Sequence, residues 1–189
     1  AANLSTLGGK TAGTVTVTNA VVISGDHDQL TAALVTAGTK VEVSDAKVTV
    51  SDADTTAITA SELSDIGSST TGQVTVTNAV AITGTAAEVT AALVTAGSLV
   101  VVKDAAVTIT GNPTITELNN IAAKTTGVVT ATLADSAIAD LASLNTASTD
   151  VITIGVSNTP TIDQLNTLAG KTTGVVTATL ADSAIADLA

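Results

Sequence analysis

The chain has 189 residues, a formal charge of −11, and no Cys, Met, Phe, Trp or Tyr; its six basic residues are all lysines. Nucleic-acid binding needs basic clusters and usually stacking rings, and a polybasic membrane contact needs clustered cations, so both are excluded. No apolar run approaches the ~18 residues of a membrane-spanning helix, so no membrane insertion is expected.

An apolar content of 45% is ordinary for a folded chain. Without rings, which bury roughly 150–250 Å² each, a core must be built from small β-branched side chains in regular layers. That favours stacked repeats. An acidic, cysteine-free chain fits an extracellular or cell-surface setting at high local concentration.

The opening run Leu4-Ser5-Thr6-Leu7-Gly8-Gly9-Lys10-Thr11-Ala12-Gly13 matches Leu165–Gly174 near the other end. Solenoids carry polar caps, and neither end of this sequence has one. The expectation is a single continuous array over 1–189, cut mid-repeat at both ends.

Strand-like alternation comes next. Val15-Thr16-Val17-Thr18, Val41-Glu42-Val43-Ser44 and Val74-Thr75-Val76-Thr77 have the period of two that marks a half-buried strand. Aligning these runs gives about seven coils, with Val15, Val41, Val74, Val100, Val129, Ile152 and Val176 as one central apolar stack. The first four coils then carry an Asx-Ala corner (Asn19-Ala20, Asp45-Ala46, Asn78-Ala79, Asp104-Ala105), which predicts a column of turns satisfying backbone donors. A second alternating run follows, as in Val48-Thr49-Val50 and Val107-Thr108-Ile109.

Each coil should then form a short helix. Asp26/Gln29, Thr59/Glu62, Thr85/Glu88, Thr114/Glu117 and Thr161/Gln164 have capping-box spacing. Behind them the stripes Ile115-Leu118-Ile121, Ile138-Leu141-Leu144 and Ile162-Leu165-Leu168 predict about two helical turns with one buried face. Turns at Gly38, Gly67, Gly127 and Gly174 close the coils. From about residue 127 the coils are shorter, and the second alternating run is the one expected to be missing. A nineteen-residue string, Lys124–Ala142, recurs letter for letter at Lys171–Ala189. The predicted fold is an α/β repeat solenoid of stacked parallel strands plus a short helix; a pure β-solenoid is the runner-up.

Few residues offer chemistry. His27, the single histidine, sits in Gly25-Asp26-His27-Asp28, and Asp52-Ala53-Asp54 occupies the matching turn of the next coil. Asp26, His27, Asp28, Asp52 and Asp54 are the candidate metal ligands, with calcium as the candidate ion. The competing reading of both segments is a turn before a capped helix. There is no EF-hand loop or Gly-Gly-x-Gly-x-Asp nonapeptide, and no Ser motif accompanies the lone histidine, so enzyme activity is not expected.

The outward pairs Thr16/Thr18, Thr75/Thr77, Thr130/Thr132 and Thr177/Thr179 resemble the ice-binding faces of antifreeze β-solenoids. Glu42/Ser44, Val101/Lys103 and Thr153/Gly155 interrupt that row at aligned positions, and charge there opposes water ordering.

Val74-Thr75-Val76-Thr77, Gly84-Thr85-Ala86-Ala87-Glu88-Val89, Pro160-Thr161-Ile162-Asp163-Gln164-Leu165 and the Thr-Thr-Gly turns resemble repeats of giant secreted bacterial proteins. These are the extender regions of surface adhesins, exported fibres and surface layers, often beside calcium-binding RTX repeats. The resemblance implies a structural rod or filament segment, or the spacer of an adhesin. Its partners would be flanking repeats or further copies, end to end.

Overall fold

The computed structural model describes residues 1–95 and 97–180; the closing stretch of the second nineteen-residue copy lies outside them. In chain order, α1 (Ala2–Lys10) leads to β1 (Val15–Val17), β2 (Val22–Gly25) and α2 (His27–Leu30). Next come β3 (Val41–Val43), β4 (Lys47–Val50), β5 (Ala57–Thr59) and α3 (Ala60–Ser68). They are followed by β6 (Val74–Val76), β7 (Ala81–Thr85), α4 (Ala86–Val89), β8 (Val100–Val101), β9 (Ala106–Thr110) and α5 (Ile115–Ala122). The last elements are β10 (Val129–Ser136), α6 (Ile138–Leu141), β11 (Val151–Val156), α7 (Ile162–Ala169) and β12 (Val176–Thr177).

This is an α/β fold in which every strand pairing among the described residues is parallel. β1 pairs with β3, four strands form a sheet in the order β2-β4-β6-β8, and six form another in the order β12-β11-β10-β9-β7-β5. Paired residues lie 20 to 26 positions apart in sequence.

The register corrects the seven-residue apolar stack. Val15 does face Val41, and Val74 does face Val100. Val74, however, rests on Val48 rather than Val41. Val129 rests on Val107 rather than Val100, Ile152 on Ala131, and Val176 on Ile154. The reason is an extra strand. The 33-residue interval from Val41 to Val74 contains β4 and β5, so the pairing shifts by one strand within that coil. The inner columns are Ile23-Val48-Val74-Val100 in the smaller sheet and Ile58-Ile82-Val107-Val129 in the larger. All eight side chains are buried in one apolar cluster.

The same register reverses the reading of the short coils. β10 pairs with β9, not with β8. The alternating run that disappears beyond residue 127 is therefore the first, and the four-stranded sheet stops at β8. A Val-Thr-Val run fits either sheet equally well, so its letters do not say which strand was lost.

All five spaced caps form. Thr59, Thr85, Thr114 and Thr161 each accept the backbone N–H three residues on, and Glu62, Glu88, Glu117 and Gln164 accept the cap N–H in return. Asp26 caps α2 by accepting from Gln29 N–H at 2.8 Å. The Thr N–H and then the Thr hydroxyl bonded to each carboxylate hold Glu62, Glu88 and Glu117 below the usual carboxylate range. Behind the caps, Leu63 and Ile66 of α3 and Leu118 and Ile121 of α5 are fully buried.

α2 and α4 each run on into a π turn, Thr31–Val35 and Thr90–Val94, at the start of an octapeptide that is identical in sequence at 31–38 and 90–97. Thr36 N–H reaches Thr31 O, and Thr95 N–H reaches Thr90 O, both at 2.9 Å. The exits hold Lys40 and Leu99 in the left-handed region, with φ of 55° and 54°. That turns their carbonyls onto the preceding layer, where Lys40 O accepts from Val15 N–H and Leu99 O from Val74 N–H. At each exit the strain of a non-glycine residue at positive φ is thereby offset by one hydrogen bond from the neighbouring strand.

Candidate functional site

The Thr-Thr-Gly turns clip the chain onto segments 20 to 27 residues earlier. Thr125 donates its hydroxyl to Ala105 O at 2.6 Å, and Gly127 N–H returns to that hydroxyl at 3.0 Å. Thr126 adds both its N–H and its hydroxyl to Lys103 O. The pattern repeats with Thr70 on Ala46 O and Gly72 N–H on Thr70. It recurs with Thr172, which bonds Asp150 O and Ile152 O and takes Gly174 N–H. A Cβ at Gly72, Gly127 or Gly174 would overlap the carbonyl of Ala46, Ala105 or Ile152. Only glycine lets the two backbones approach so closely.

The Asx-Ala corners take part differently from the expected single column. Ala46 and Ala105 supply the carbonyls that the clips grip. Asn78 sits over Asp52, donating its side-chain N–H to Asp52 O. The strand shift between β4 and β6 moves Asn78 away from Asp45.

The five candidate ligands divide among separate tasks. His27 and Asp52 meet across the β2–β4 boundary, since Gly25 pairs with Val50 two residues earlier. His27 N–H donates to Asp52 Oδ2 at 2.8 Å, and His27 Nδ1 lies 2.6 Å from Asp52 Oδ1. Asp52 is only 5% exposed. Asp28 is exposed, with its carboxylate 3.6 Å from His27 Nε2. Asp26 is occupied as a helix cap, and Asp54 Oδ1 accepts from Ala79 N–H at 3.0 Å. Among the described residues, no group of three His, Asp or Glu side chains is placed to hold a metal ion.

Chemically, the His27–Asp52 pair is a proton-holding clasp. Burial pulls the imidazole pKa down, but the hydrogen bond and charge of Asp52, with the charges of Asp28 and Glu62, outweigh it and raise it above 6.5. A raised histidine pKa means that the charged ring favours the folded state. The stabilisation is complete below the unfolded value and is lost as pH rises through the folded one. A proton NMR titration should therefore give His27 a midpoint above 6.5, and Asp52→Asn should lower that midpoint. A His27 midpoint at or below 6.5 in the intact protein would contradict the clasp.

One buried acid escaped the sequence reading. Asp150, 2% exposed, accepts Val129 N–H at 2.8 Å and Ala147 N–H at 2.9 Å, pinning β10 to the following coil. Nothing in Ser-Thr-Asp distinguishes this carboxylate from exposed neighbours; its partner lies 21 residues away.

The outward threonines also separate. Thr16 lies beside Glu42 in the two-stranded pair, and Thr75 lies between Thr49 and Val101 in the four-stranded sheet. The larger sheet carries its own row, in which Thr59, Thr83, Thr108 and Thr130 are successive partners ending at Val151. Thr177 partners Gly155. Glu42 belongs to β3, Val101 to β8 and Lys103 follows β8, outside the six-stranded sheet, whereas the third interruption, Thr153/Gly155, lies on β11 within it.

No helix among the described residues is long and apolar enough to cross a membrane. Compared with protein-family models, curated proteins and solved structures, the chain matches none.

Proposed function

We propose that this chain is a structural segment: an α/β solenoid whose stacked coils form a rod or filament at or outside the cell surface. The observation that carries the reading is that strands pair only in parallel, with partners 20 to 26 residues apart. Each coil then buries its strands and helix against the next one, and length is gained by adding coils. The Thr-Thr-Gly clips and the recurring caps serve that geometry and involve no substrate. Flanking repeats or further copies, end to end, are the proposed partners, and no catalytic role is assigned. The acidic, cysteine-free composition supports the extracellular placement.

Electron microscopy of the native material tests this. Continuous rods with a meridional repeat near ~4.8 Å are expected. Short rods ending in globular tips would make the segment an adhesin spacer, and particles without an axial repeat would overturn the proposal.

A further inference from the structure

We draw no further inference here: the strongest candidate, the apolar cleft between α6 and α7 lined by Ile138, Leu141, Leu168 and Lys171, carries nothing, because the Lys171 ammonium is already bonded to the carbonyls of Ala142 and Leu144 and nothing in the structure shows what covers the cleft.

Discussion

Val76→Asp is expected to cost at least about 4 kcal/mol and to lower the unfolding midpoint sharply. Val76 is 2% exposed and faces Val50 across the β4–β6 pairing. Losing the valine removes about 1.5–3 kcal/mol of burial, and a carboxyl in that layer has no donor to meet it. Thr75→Asp, one residue away on the outward side, should stay within about 0.5 kcal/mol of the unaltered protein. Denaturant unfolding of both variants provides the check. Equal midpoints for the pair would mean that β6 does not alternate between core and surface as described.

Gly127→Ala is the second large effect, expected at about 3 kcal/mol. The added methyl would overlap the backbone of Asp104 and Ala105, which cannot move aside as a side chain could. Relief requires the turn to lift, and lifting it releases the Thr125 and Thr126 hydroxyls from Ala105 O and Lys103 O. Gly9→Ala supplies the contrast. Its Cβ meets nothing within 4 Å and lies inside α1, where alanine is favoured over glycine by up to about 1 kcal/mol. The two substitutions should move thermal stability in opposite directions; a neutral Gly127→Ala would remove the clip from the account of how coils are held.

The five capped helix starts were legible because a cap is a local device, whereas α1 and α6 begin at Ala1 and Ala137 without a side-chain cap. Thr59 and Glu62 meet whatever the rest of the chain does, and a spacing of three suffices to find them. Parallel strands were legible as elements for the same reason. Their partners were not, because register is decided by what lies 20 to 26 residues away. Val-Thr-Val reads alike in β1, β4 and β6, so an additional strand such as β5 leaves only an unusual interval, 33 residues, as its trace.

His27 and Asp52 were both visible as chemistry-bearing residues, yet their meeting depends on the β2–β4 register and could not be read from either segment. The outward threonines of the larger sheet were missed as a set for a related reason. Thr130 and Thr132 were grouped with Thr16 and Thr75, which have the same flanking letters but lie in other sheets, while Thr153 was read as an interruption and Thr83 and Thr108 were not singled out. Asp150 caps a local turn through Ala147 N–H, but nothing near it signals the longer-range bond, since the N–H of Val129 that it accepts lies 21 residues away.

The near-constant separation of paired strands also bears on how the chain finds its structure. Docking each new strand closes a loop of similar length, and the entropic cost differs by only about 0.2 kcal/mol between the shortest and longest. No single closure is therefore much harder than the rest. Folding has no topologically privileged nucleus and can begin at whichever pair of adjacent strands first buries its valines and leucines, then spread in both directions. The chain's kinetics would then be governed by local sequence quality, one strand pair at a time.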